Sequence, residues 1–409
     1  MNVETLRAQG ERELAEKIRA HADVKKAMEV ATKEAQKGGA RRHLLATAMR
    51  LTPEMAPDIA SILDETQAAL GLDAAIETYV YPSPNYNAAA VRPEDGRLFV
   101  MYSSSLLEAF SADELRFVVG HELGHHLFHH HDIPTGLLLN PKSPVGPSLA
   151  LQLFAWQRYA EVSCDRAGVV AAGGLRPAAT ALFELASGLS SDKVEVRVDH
   201  FLSQLGDLRK EADRLDRADS PARSDWFSTH PFSPLRLRAA ELFVASELAP
   251  QPVDEPMNVA TLEAEVHELM TLMDPSYLQS KTEVAEAMRR LLFAGGIGVA
   301  AASGDVTEPE RDTLEELLGD GSLPREIDPV AVGNALAKRV AKVREIVPSL
   351  RRVQIIRDLC LVAGADGTVS DAERAVIDDI AGAIDVDGAS VEHFIRDLSR
   401  VSKTTQVSD

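Results

Sequence analysis

The chain has 409 residues, with 43 Lys and Arg against 63 Asp and Glu, a formal net charge of -20. That balance argues against nucleic acid and anionic membranes as general partners, and no nucleic-acid role is expected. Two cysteines, Cys164 and Cys360, offer no disulfide framework, and no run of some eighteen apolar residues supplies a transmembrane segment.

Charged residues run through the N-terminus without an apolar signal core, so the expected setting is soluble and cytoplasmic. The length suits two or three domains. Residues 1–50 read as helices of alternating charge, an N-terminal helical arm that ends at Thr52-Pro53. Residues 51–248 read as one domain. Within it, Pro93-Glu94-Asp95-Gly96 marks a turn, and the short alternating run Arg97–Tyr102 after it reads as a strand.

A helix follows. Ser111 and Glu114 have the spacing of a capping box, and Leu115, Val118, Val119, Glu122, His125 and His126 recur at helical spacing until Asp132-Ile133-Pro134. This helix contains His121-Glu122-Leu123-Gly124-His125, the pattern H-E-x-x-H. Two histidines four apart project from one helical face and can reach one zinc ion. Glu122 is then placed beside the metal to take a proton from an activated water. Such a helix is apolar over most of its surface, and a buried, unpaired histidine pair is costly unless a metal resolves it. His126, His129 and His131 read as cationic side chains at a helix end.

A catalytic zinc site has three protein ligands and an open position, so a third ligand has to come from elsewhere. Residues 156–168 read as a second helix, with Glu161 and Asp165 one turn apart. The pair is either a solvated acidic face or a ligand with a carboxylate that orients a zinc histidine. Tyr159, Ala160, Val162 and Ala167 make the segment too apolar for the first, which favours Glu161 as ligand. The Pro-rich stretch 139–148 between the two helices suits a mobile cover. His230, in Ser228-Thr229-His230-Pro231, reads equally as a surface turn residue or a functional one.

Together these residues resemble the HtpX and CAAX-prenyl-endopeptidase group of zinc metallopeptidases, which are gluzincins. The likeness lies in the HExxH helix, in Glu161 with Asp165-Arg166, in Asn87-Ala88-Ala89, in the strand 97–102, and in His230-Pro231 with Arg236. His130, nine residues after His121, also matches. The resemblance implies an α+β zincin-type domain with a small twisted sheet, one catalytic Zn2+, His121, His125 and Glu161 as ligands, and Glu122 as general base and acid. It places His230 near the metal, Arg236 as an ion-pair partner, and Asn87, Val100 and Tyr102 on an edge strand that pairs with a peptide or unfolded protein substrate.

Residues 249–257, rich in Pro and acid, read as a stiff linker. Residues 258–402 are expected to be all-helical, with a tail at 403–409. Ala302–Arg311 aligns with Ala365–Arg374 at an offset of 63 residues, each copy carrying a capping box, Thr307 to Glu310 and Ser370 to Glu373. The repeat resembles the TerB-like helical domain of tellurite-resistance proteins. Its acidic residues Asp305, Asp366, Glu310 and Glu373 either cap helices or form a metal or partner site. The domain reads as a regulatory or recruiting module for a protein partner. Two functions stand open: a gated zinc endopeptidase, or a latent zinc-binding adaptor in a stress-response assembly.

Overall fold

The computed structural model describes residues 3–139, 145, 147–191, 193–214, 230–251, 253–270, 273, 283–304, 306–318, 323, 329–347, 349–388, 390–392 and 394–395. Along the chain these form helices α1 (Gln9–Ala20), α2 (Ala22–Gln36) and α3 (Ala40–Thr47), strand β1 (Met49–Leu51), and helix α4 (Pro57–Leu70). Strands β2 (Ala75–Tyr81), β3 (Ala88–Glu94) and β4 (Arg97–Ser103) follow, then α5 (Ser104–Ala109), α6 (Ala112–Leu127) and α7 (Thr135–Leu138). Helices α8 (Pro147–Ala172), α9 (Leu175–Ser187), α10 (Val198–Arg214), α11 (Ser233–Val244) and α12 (Val259–Met270) come next. The last described helices are α13 (Glu283–Ala300), α14 (Glu308–Leu318), α15 (Pro329–Ile346), α16 (Ser349–Ala363) and α17 (Asp371–Ala383).

The chain divides into two compact units. One holds residues 1–135, 153–206 and 228–270; the other holds 136–152, 207–227 and 271–409.

In the first unit the sheet order is β1-β2-β4-β3. β2 and β4 run parallel, while β1 and β3 are antiparallel to their neighbours. Asp95 and Gly96 both take positive φ in the two-residue turn between β3 and β4, where Asp-Gly is the favoured pair. This hairpin places β3 outside β4. The expectation of β4 as the edge strand is therefore corrected: β4 is hydrogen-bonded on both sides, and β3 is the edge. Pro93, which has no amide to donate, lies in the register shift between Val91 and Glu94 on that edge. Leu44 of α3, Tyr79 and Phe99 pack together as the small core on one face of the sheet.

Residues 3–47 are helical and pack against the rest of this unit. The Glu94 carboxylate caps α3 by accepting from the amides of Gly39 and Arg41 at 3.0 and 3.1 Å, and the Ala8 amide donates to Ser163 Oγ of α8 at 3.0 Å. The expectation of a stiff linker at 249–257 is corrected, because Met257 folds back on the residues just before it. The Glu247 amide donates to Met257 O and the Met257 amide to Ala245 O, both at 2.9 Å, and α12 returns to pack on α11 and α1. Buried Arg166 then pairs with Glu263 of α12 at 2.7 Å.

The second unit is all-helical where described. α13 lies at its centre, with Met288, Leu291, Leu292 and Ile297 fully buried among side chains of α14, α16 and α17. Gly296 makes room for Leu314: a Cβ there would stand 2.4 Å from Leu314 Cδ2. The repeat takes the form helix, turn, capped helix twice, as α13 to α14 and α16 to α17. The Thr307 amide donates to Glu310 Oε2 at 2.8 Å, and the Ser370 amide to Glu373 Oε2 at 2.7 Å. Both glutamates are buried as caps. Asp305 and the tail 403–409 lie outside the described residues. Among the described residues, no helix is long and apolar enough to cross a membrane.

Candidate metal centre

Helix α6 begins with the capping box read from the sequence: Ser111 Oγ accepts from the Glu114 amide, and Glu114 Oε2 accepts from the Ser111 amide. It stops at Leu127, earlier than its apolar pattern suggested. His129 takes left-handed φ of 55°, and the chain folds into a 3-10 turn, His130–Asp132, that brings His130 back under His125.

α6 and α8 approach closely because glycines line their contact. A Cβ on Gly120 would stand 2.5 Å from Ala171 Cβ, and one on Gly124 3.0 Å from Cys164 Cα. Gly168 returns the favour, since a Cβ there would stand 2.7 Å from the Phe117 carbonyl oxygen. This approach sets Glu161 of α8 against the two histidines of α6.

His121 Nε2 lies 3.4 Å from Glu161 Oε2, and His125 Nε2 lies 3.6 Å from Glu161 Oε1. His230 Nε2 is also 3.6 Å from Glu161 Oε1, on a side chain that is 63% exposed. Glu161 Oε2 is buried, makes no hydrogen bond among the described residues and stands 3.5 Å from Arg236 Nη2. Ligand atoms about 2.1 Å from one tetrahedral centre stand about 3.4 Å apart. The distances from Glu161 to the two histidines are compatible with donors to one cation.

A second set competes, because Cys164 has a ligand atom within 4.8 Å of those of His121 and His125. We favour Glu161. The Cys164 thiol is pushed well up by burial and nearby carboxylates, and its Sγ sits 3.6 Å from His130 Nδ1. His130 Nδ1 faces the Nδ1 edge of His125, whereas Glu161 meets the Nε2 atoms of both histidines. Sequence reasoning passed over Cys164, whose position inside the Glu161–Asp165 turn was its only signal.

Asp165 lies behind His121. Its Oδ1 is 2.9 Å from His121 Nδ1, and Arg236 grips the carboxylate with Nε to Oδ2 at 2.8 Å and Nη2 to Oδ1 at 2.6 Å. Burial pushes the Asp165 carboxyl up, but Arg236 and His121 outweigh it and hold it below its ordinary value. Burial likewise pushes His121 down, and the Glu161 and Asp165 carboxylates overcome it to hold the imidazole at about 10. That excess negative charge is what a bound cation would neutralise in place of the proton. Desolvation holds half-buried His125 well below its usual range, with neighbouring histidines adding to it against the pull of Glu161.

Glu122 is buried next to this cluster, and its Oε2 accepts from the Ala90 amide of edge strand β3 at 2.6 Å. Burial pushes its carboxyl up. The general base expected from the sequence is therefore tied to edge strand β3. Asn87, just before β3, is exposed and bonds Tyr81 Oη through Nδ2 at 2.7 Å. Val100 and Tyr102 do not join it. Both lie on interior strand β4 and are fully buried, so neither is available to pair with substrate.

His126 and His131 are not cations at a helix end. His126 Nε2 donates to the Phe99 carbonyl at 3.1 Å and ties α6 to β4; burial holds it below its usual value and pushes His131 down to about 3. The cover expected over 139–148 falls mostly on residues 140–144 and 146, and Ser228-Thr229 on 228–229, which lie outside the described residues.

The model for Peptidase family M48 matches residues 53–141, and that for tellurite resistance protein TerB matches residues 289–395. The two matches lie in the order peptidase model, then TerB model, and they support a metal-dependent peptidase. Over 169 residues the chain is 29% identical to the plastoglobule-localized metallopeptidase 48, chloroplastic, of Arabidopsis thaliana, covering 39% of this chain and 49% of that one. The chain thus spans about half the length of that curated relative. No solved structure matches it. The M48 match includes the HExxH helix and ends before Glu161 and His230.

Proposed function

We propose that the chain is a zinc-dependent endopeptidase whose catalytic groups converge between α6, α8 and edge strand β3. The observation that carries this reading is the convergence of His121 Nε2 and His125 Nε2 on the one buried carboxylate of Glu161, with Glu122 alongside. When bound, zinc supplies Lewis acidity to the scissile carbonyl and to water. Glu122 takes the proton of the attacking water and returns it to the departing amine. Its raised carboxyl suits a group that works as base and then as acid. Asp165, fixed by Arg236, holds His121 in one tautomer. The outward edge of β3, reached from Asn87, receives an extended peptide through main-chain hydrogen bonds.

Gating is part of the reading. His230 stands as far from Glu161 as His125 does, so it can fill the position that substrate needs. This contact favours a latent resting state, and the TerB domain is assigned to regulating or recruiting. A noncatalytic zinc adaptor is the second reading, and the same contact supports it. We place the protein in the cytoplasm, a reducing setting supported by two cysteines that remain free.

The test is zinc stoichiometry together with cleavage of a generic unfolded protein by the full chain, with Glu122→Gln as blank. One zinc per chain and cleavage that vanishes in Glu122→Gln establish the peptidase. Zinc without cleavage, in wild type and in His230→Ala alike, favours the adaptor. No zinc bound refutes both.

A further inference from the structure

We propose that the N-terminal helix α1 completes the metal centre: Glu11, acting through His130, fixes the orientation of His125. The proposal rests on the zinc reading above and concerns the half of the site that faces away from Asp165.

His125 turns Nε2 toward Glu161, and its Nδ1 lies 3.0 Å from His130 Nδ1. One of these two nitrogens has to carry the hydrogen. A ligand histidine that gives its Nε2 lone pair to a cation is protonated at Nδ1, so His125 donates and His130 Nδ1 accepts. An imidazole that accepts at Nδ1 carries its hydrogen on Nε2. In His130 that atom is buried without a hydrogen-bond partner and faces Glu11 Oε1 at 3.6 Å.

Glu11 is built to stay there as an anion. It is completely buried, takes hydrogen bonds from Arg7 Nε and Nη2 at 2.7 and 2.9 Å, and accepts from Trp156 Nε1 at 3.3 Å.

The helix that carries Glu11 is itself anchored to the peptidase unit. Besides the Ala8–Ser163 bond, the Gln9 amide donates to Glu263 Oε2 at 2.9 Å. Gly10 leaves room for the Tyr159 ring, since a Cβ there would stand 2.6 Å from it. Each candidate zinc histidine thus ends on a carboxylate backed by an arginine. His121 reaches Asp165 and Arg236 directly; His125 reaches Glu11 and Arg7 through His130. Glu11 is a positioning residue and touches neither metal nor substrate.

The test measures zinc dissociation from the full chain by competition with a chromophoric chelator, for wild type, Glu11→Gln, His130→Gln and the double variant. Each single change should weaken zinc binding on the order of ten-fold, the low end for groups behind a ligand histidine. The double should lose no more than the larger single, because the two act in series. In the cobalt(II)-substituted protein, the exchangeable Nδ1–H resonance of one ligand histidine should move in Glu11→Gln while the other stays. If Glu11→Gln does not fold, Glu11→Asp, which keeps the charge but withdraws it from His130, takes its place. Unchanged zinc affinity in the single variants, or losses that simply add, overturn the proposal and leave the zinc reading standing. Wild type that binds no zinc overturns both.

Discussion

Replacing Gly124 by alanine probes the contact on which the whole centre depends. The new Cβ would lie 3.0 Å from Cys164 Cα, 3.1 Å from its Sγ and 3.3 Å from its Cβ. Carbon pairs are most stable at about 3.5–4.0 Å, so α8 has to retreat by roughly 0.5–1 Å. The obstacle includes backbone, which no rotamer change removes. Overpacking of this kind costs about 1–3 kcal/mol. Metal geometry is less forgiving, since ligand distances tolerate only about 0.2 Å. Glu161 moves with α8 while His121 and His125 stay on α6, so zinc affinity should fall on the order of ten- to a hundred-fold, at about 1.4 kcal/mol per decade. Urea unfolding of the apo protein and chelator competition for zinc measure the two losses separately. Gly206→Ala on α10, where no atom lies within 4 Å of the added Cβ, is the control. A Gly124→Ala protein that unfolds at the wild-type midpoint and binds zinc as tightly would refute the argument that helix approach sets the ligand geometry.

The control carries its own expectation: Gly206→Ala should raise stability by about 0.5–1 kcal/mol, read from the same urea curves. Glu122→Gln should leave zinc stoichiometry at the wild-type value while removing cleavage, so metal analysis and a proteolysis gel on one sample separate binding from chemistry. Glu263→Ala strips the partner from fully buried Arg166 and should destabilise the protein by about 3–5 kcal/mol, seen as a lower denaturation midpoint. Glu11 gives a pH signature. Its carboxyl is lowered in the fold, so its stabilisation is present above the ordinary carboxylate value and drains away as pH falls from about 4.5 towards about 2. The stability gap between wild type and Glu11→Gln should be widest near neutrality and narrow across that window; a gap that stays constant from pH 7 to 3 contradicts the assignment.

Local chemistry determined a good deal on its own. The Ser111–Glu114 and Ser370–Glu373 boxes, the Asp95-Gly96 turn and the i,i+4 pair His121 and His125 involve residues within a few positions of one another, so spacing alone shows them. The repeat of 63 residues and the helical character of its surroundings were legible for the same reason. What lay beyond the sequence depended on pairing between distant segments. The strand Arg97–Ser103 has the alternation of a half-exposed strand, yet the β3 hairpin covers its free edge and leaves Ala88–Glu94 outermost. The linker reading failed because proline and acidic content do not reveal that Glu247 and Met257 close on each other. His126 and His131 looked like cations at a helix end until packing placed them in the interior, where desolvation keeps them neutral. Glu11 left no mark at all: it is an ordinary helical glutamate until α1 docks on α8 and brings it, 119 positions away along the chain, to His130. Sequence determines which groups are present and how each helix begins. The close approach of α6 and α8 across Gly120, Gly124 and Gly168 decides which of those groups meet, because ligand chemistry depends on distances that only packing sets.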